Sequence, residues 1–188
     1  SVFVVFNERT DITAFKTPHE SSVTLAILGG GWEISFPANS GAPEKLQIAE
    51  LKPLTHQADS GVKYFSGTAT YTKNIEVKKN WLRPNQKLLL DLGTVRDLAE
   101  VYINGNKVDL LWKSPFTVDV SKHLKAGRNQ LAIKVTNQWT NRLIGDKANP
   151  QTKVLDAYTA PFGAPYQLTE SGLIGPVKLL AIERSKNL

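Results

Sequence analysis

The sequence predicts an all-β protein, an antiparallel β-sandwich of jelly-roll type, and three observations carry that prediction. Apolar and polar residues alternate over many short runs, which is the period of a half-buried strand. Asn104-Gly105 sits between AEVYI and KVDLLW, a strong hairpin signal because both residues tolerate the positive φ of a type I′ turn. No stretch of a dozen residues keeps apolar side chains three and four apart. Helices are therefore expected only as single turns, at Lys79 to Leu82 and at Ser121 to Leu124.

Taken in chain order, Asn7 to Ser22 is irregular, and residues 1–22 are read as the end of a preceding domain or a linker, with the sandwich over 23–188. The GGG run at Gly29 to Gly31 lies between two strand patterns and reads as a hairpin or a bulge. Trp32, Ile34 and Phe36 then alternate with Glu33 and Ser35. Phe65, Gly67, Ala69 and Tyr71 alternate with Ser66, Thr68, Thr70 and Thr72, in a run that can continue to Ile75 and Val77. The same parity marks Leu88, Leu90 and Leu92; Ala99, Val101 and Ile103; Phe116, Val118 and Val120; Leu131, Ile133 and Val135; and Val177, Leu179 and Ala181. That makes at least eight strands, with Trp32, Trp81 and Trp112 assigned to the core. The stretch from Asn137 to Gly172 is long for a sandwich loop, and long loops commonly carry function.

Composition narrows the function classes. In 188 residues, 23 basic and 17 acidic side chains leave a net charge of +6, and the basic residues are scattered along the chain. Scattered cations predict a solvated surface and no nucleic-acid partner, since phosphate binding needs cations aligned along one face. Runs such as SVFVVF and VTLAIL are far shorter than the roughly 20 residues that cross a bilayer, so no membrane partner is expected. The absence of cysteine excludes a thiolate metal site and a thiol nucleophile.

Catalytic chemistry finds no complete set of groups. His19, His56 and His123 fall in no metal-binding spacing, and neither a G-x-S-x-G elbow nor a phosphate-cradling loop occurs. Asp91, Asp97, Glu100, Asp109 and Asp119 are candidate carboxylates for glycoside hydrolysis, yet spacing selects no pair among them. No catalytic, metal or cofactor site is assigned.

Ligand binding has a better candidate. A sugar offers a flat apolar face ringed by hydroxyls, so its site pairs an exposed aromatic ring with planar amide, carboxylate or guanidinium groups. Asn137, Trp139, Asn141 and Arg142 supply that mixture directly after a strand, Asp146 follows, and Tyr158, Phe162 and Tyr166 add rings farther on. A second reading of the same residues stays open: Trp139 plugs the end of the sandwich, the amides and Arg142 bond loop carbonyls, and Asp146 pairs with Arg142.

The runs GVKYFSGTATYTKNIEV, LLLDLGTVRDLAEVYINGNKV, FTVDVSKHLKAGRNQLAIKVTN and SGLIGPVKLL together resemble the sugar-binding-domain type of β-sandwich found in glycoside hydrolase family 2 and its relatives. NQWTNRLIGD and LLWKSPF are most similar to the C-terminal module of large bacterial enzymes of the α-L-rhamnosidase type, family 106. The resemblance covers about Trp32 to Glu183. It implies a galactose-binding-like jelly roll acting as a non-catalytic accessory module of a secreted glycoside hydrolase. The expected partners are the catalytic domain of the same polypeptide and a plant or microbial polysaccharide, in a periplasmic or extracellular setting. Asn137, Trp139, Asn141, Arg142, Asp146, Tyr158 and Tyr166 are then the expected carbohydrate-binding or interdomain residues. Two alternatives remain at this stage, an autonomous carbohydrate-binding module and a small glycan hydrolase with its own site.

Overall fold

The computed structural model describes residues 20–84, 86–155 and 167–184. Among them twelve strands form: β1 (Glu20–Ile27), β2 (Trp32–Ser35), β3 (Lys45–Ile48), β4 (Thr68–Val77), β5 (Lys87–Asp91), β6 (Thr94–Arg96), β7 (Leu98–Ile103), β8 (Asn106–Leu111), β9 (Thr117–Asp119), β10 (Gly127–Thr136), β11 (Gly172–Gly175) and β12 (Lys178–Arg184). Two helices accompany them, α1 (Ser60–Lys63) and α2 (Thr140–Ala148). The strands make a six-stranded sheet in the order β3-β2-β4-β10-β7-β8, a four-stranded sheet β1-β12-β5-β9 and a small pair β11-β6, with every strand pairing antiparallel. The all-β sandwich expected from the alternation is what forms.

Parity decides which side chains meet between the sheets. In β7 and β10, Ala99, Val101, Ile103, Leu131, Ile133 and Val135 are all buried, and the register sets Ile133 beside Val101 on one side and Tyr71 of β4 on the other. Leu88 and Leu90 of β5 and Leu179 and Ala181 of β12 supply the facing layer of the same core. Asn104 and Gly105 adopt φ of 51° and 83°, so the β7–β8 hairpin turns as its dipeptide dictates. Tyr71 is fully buried and its hydroxyl accepts a hydrogen bond from the Leu173 amide, tying β4 to β11.

Three expectations require correction. The Gly29 to Gly31 run is neither a hairpin nor a bulge: it carries the chain from β1 in the four-stranded sheet to β2 in the six-stranded one. A Cβ on Gly30 would lie 2.0 Å from the Ala49 carbonyl oxygen, so this corner needs glycine for close backbone approach. Trp112 is not in the core but 66% exposed, because β8 is an edge strand and the residue falls on the outward side just past its end. Trp32 is fully buried, as expected, and Trp81 is half-buried against the core. Finally, α2 is a helix of nine residues where only single turns were expected. Its buried face is Asn141, Arg142, Gly145 and Asp146, so it leaves no apolar stripe in the sequence.

Candidate functional site

The candidate site lies where β10 ends and the chain enters α2. Asn137 closes the strand onto the turn before β4: its side-chain amide donates to the Phe65 carbonyl at 2.9 Å, and its Oδ1 accepts from the Gly67 amide at 2.8 Å. Asn141 reaches the other end of the long loop, donating to the Thr169 carbonyl at 2.7 Å and accepting from the Thr169 amide at 3.0 Å. Both asparagines thus act as extra backbone, pairing a donor and an acceptor with a remote segment.

Arg142 is the centre of a second set of contacts. Its Nε donates to the Tyr64 carbonyl at 3.0 Å, one terminal nitrogen to the Gly61 carbonyl at 3.2 Å, and the other lies 3.4 Å from Asp146 Oδ1. Asp146 in turn accepts from the amides of Val154 and Leu155 at 3.1 and 3.0 Å. The pair is buried, at 6% and 7% side-chain exposure, so every polar group in it needs a partner and nearly all have one within the fold. Gly145 lets α2 lie against Tyr64, since a Cβ there would sit 2.5 Å from the ring.

Trp139 behaves differently from its neighbours. It occupies the position before the first turn of α2 and is 57% exposed, so it does not plug the sandwich. The hydrogen-bonding half of that second reading does hold, because Asn137, Asn141, Arg142 and Asp146 are committed to loop backbone and to each other. Beside Trp139 in the chain, Asn137, Gln138 and Asn141 wall a polar cleft of about 290 Å³ whose other side is Arg96, Asp97, Thr169, Glu170 and Ser171. An exposed ion pair, Arg96 to Glu170 at 3.6 Å, belongs to the same walls. Arg142 and Asp146 face a separate cleft of about 250 Å³ with Gly61, Tyr64 and Asn149. The predicted residues therefore divide: Asn137 and Asn141 line one cleft, Arg142 and Asp146 the other, and Trp139 stands in solvent. Tyr158, Phe162 and Tyr166 lie outside the described residues.

Sequence reasoning did not assign Arg96, Gln138 or Glu170 to this place. Gln138 sits inside the polar cluster and was legible from its neighbours. Arg96 and Glu170 carry no local signal, because only the β6–β11 pairing brings their segments together.

The other carboxylates are held by nearby donors. Glu100 accepts from the Tyr102 hydroxyl at 2.6 Å and from Lys107 at 3.1 Å, and these bonds hold its pKa below the ordinary carboxylate range. Burial of Asp119 opposes ionisation, but hydrogen bonds from the Ser121 hydroxyl and amide, with Lys87 and Lys122 nearby, outweigh it and lower that pKa too. Neither is a proton donor at neutral pH. Their unfolded forms take up protons first as pH falls, so the stability they contribute is complete above the ordinary carboxylate range and is lost through their lowered folded values. Urea midpoints measured from neutral to acid pH are expected to fall less steeply in Glu100→Gln and Asp119→Asn chains than in the wild type. Parallel profiles would contradict the assignment. Among the described residues, no three of His, Asp and Glu gather as a metal site.

Comparison with known proteins agrees with this architecture. The sugar binding domain of glycosyl hydrolases family 2 matches residues 46–162. A protein of Formosa agariphila, provisionally named a β-glucuronidase, is 39% identical over 184 residues, which cover 85% of this chain and 16% of that protein. The solved rhamnosidase of Novosphingobium sp. PP1Y superposes with a TM-score of 0.84 at 39% identity, over 94% of this chain and 17% of that one. The β-D-glucuronidase of Dictyoglomus thermophilum shares the fold alone, with a TM-score of 0.59 at 20% identity over 89% of this chain and 29% of that one. The chain thus spans less than a fifth of the length of the first two relatives. With its antiparallel sandwich, its family match over more than half its length and these relatives, the chain belongs to the family of glycosyl hydrolase family 2 sugar binding domains.

Proposed function

We propose that this domain is a non-catalytic accessory module of a larger, exported glycoside hydrolase. It packs against the catalytic domain of the same polypeptide and meets carbohydrate with the end of the sandwich that carries Trp139. The observation that supports this most is the contrast within one short segment. Asn137, Asn141, Arg142 and Asp146 fix α2 in place, while Trp139 among them is left 57% exposed, between Gln138 and Asn141 of the same segment, which line a polar cleft. An indole held free at the start of a fixed helix, in a segment that also lines a cleft with Gln138, Arg96 and Glu170, matches what a sugar ring requires.

Catalysis is assigned elsewhere in the polypeptide. Glycoside hydrolysis needs two carboxyl groups roughly 5–10 Å apart with pKa values driven apart. The polar cluster on α2 offers a single carboxylate, already bonded to two amides and a guanidinium. The isolated chain is expected to show no turnover of aryl glycosides, and deleting it from the full-length enzyme is expected to impair turnover or stability. Hydrolysis of an aryl rhamnoside or galactoside by the isolated chain, abolished by Asp146→Asn, would overturn this reading.

A further inference from the structure

The outward face of the β7–β8 ribbon carries side chains that neither the core nor the cleft uses. Register sets Ala99 opposite Leu111 and Glu100 opposite Leu110, so the next step places Trp112 beside Leu98. Leu98, Glu100 and Tyr102 alternate with the buried Ala99, Val101 and Ile103 and therefore face out. Trp112, Leu110 and Leu98 are among the large apolar side chains that the fold leaves exposed. Lys113 holds its ammonium 5.3 Å from the Trp112 ring centroid. Farther along the same face, Lys134 of β10 holds its ammonium 4.8 Å from the centroid of Tyr102. Leu98 and Tyr102 lie four residue steps apart along the strand, about 13 Å.

We propose that this ribbon face binds an anionic oligosaccharide, at a site separate from the cleft beside Trp139. Each end of the face joins an aromatic ring to an ammonium. The ring packs against the C–H face of a sugar, and the ammonium at its edge pairs with a carboxylate or sulfate substituent on that sugar. Lys113 makes no salt bridge with an acidic side chain among the described residues, and Lys134, which faces Glu100 across the register and helps hold that carboxylate ionised, is beyond salt-bridge distance from it. The acidic groups nearby are already engaged: Glu100 takes Lys107 at 3.1 Å and the Tyr102 hydroxyl, and Asp109 accepts from the Leu110 amide at 2.7 Å. A neutral sugar would leave both ammoniums without a salt-bridge partner. A protein partner of ordinary size covers about 800 Å² per side, far more than three apolar side chains bordered by charges provide.

The test is titration at physiological salt against polygalacturonate, a sulfated galactan and an unsubstituted galactan, using the Trp139→Ala chain, which lacks the indole beside the cleft, alone and combined with Trp112→Ala, Lys113→Ala or Lys134→Ala. The first two probes separate carboxylate from sulfate recognition. The expected result is binding to at least one anionic polymer and not to the neutral one. In that background Trp112→Ala weakens it at least tenfold without lowering Tm, and each lysine change weakens it and flattens its salt dependence. Equal binding to the neutral galactan, unchanged affinity in Trp112→Ala, or no binding of either anionic polymer would overturn the proposal. Because Trp139 is replaced in every chain tested, those outcomes leave the reading of the cleft standing.

Discussion

Replacing Arg142 by alanine is expected to destabilise the domain by about 3–5 kcal/mol, the cost of breaking a buried ion pair by removing one partner. The guanidinium serves three acceptors at once: the Tyr64 and Gly61 carbonyls and the Asp146 carboxylate. Its loss leaves a carboxylate of 7% exposure without its cation and two carbonyls without their donors. Arg142→Lys is expected to recover little, because a point ammonium cannot reproduce a planar fork aimed at several acceptors. Each kcal/mol lowers Tm by about 2–4 °C in a domain of this size, so thermal melts resolve the effect. A loss below 1 kcal/mol would show that water replaces the guanidinium in the second cleft and that α2 is fixed by other contacts.

Truncating Ile133 to alanine is expected to cost about 2–5 kcal/mol, while Lys134→Ala costs well under 1. Ile133 has no exposed surface and packs between Val101 and Tyr71 in the middle of the six-stranded sheet. Lys134, its neighbour in sequence, points to the opposite face, and its truncation loses a contact with Tyr102 and a charge interaction with Glu100, both at the surface. Denaturant midpoints of the two chains measure the parity of β10 directly. Equal losses at both positions would contradict the register.

How much of this was legible in the sequence depends on what buries each residue. Where burial is apolar, alternation suffices, and the core positions of β4, β5, β7, β10 and β12 follow from it. β3, β6 and β11 are three or four residues long, too short to establish a period. In α2 the buried face is polar, and its Arg142 is satisfied by backbone carbonyls 78 and 81 positions away, so no local pattern announces a helix. Trp112 went astray because alternation gives the parity of a strand without saying that the strand is an edge. At the site, the segment from Asn137 to Asp146 stands out by composition alone. Its division between fold-holding amides and an exposed indole does not, since that depends on which carbonyls the tertiary structure brings within reach.

The most direct test of the account is isothermal titration of the wild-type and Trp139→Ala chains against a panel of plant-derived sugars, with Tm measured on the same preparations. Because Trp139 is 57% exposed, its truncation is expected to leave Tm within about 1–2 °C, as for a surface change of under 0.5 kcal/mol. Sugar binding by the wild type should then be lost or weakened at least tenfold. A large fall in Tm with unchanged sugar binding would contradict the account and make Trp139 a structural plug.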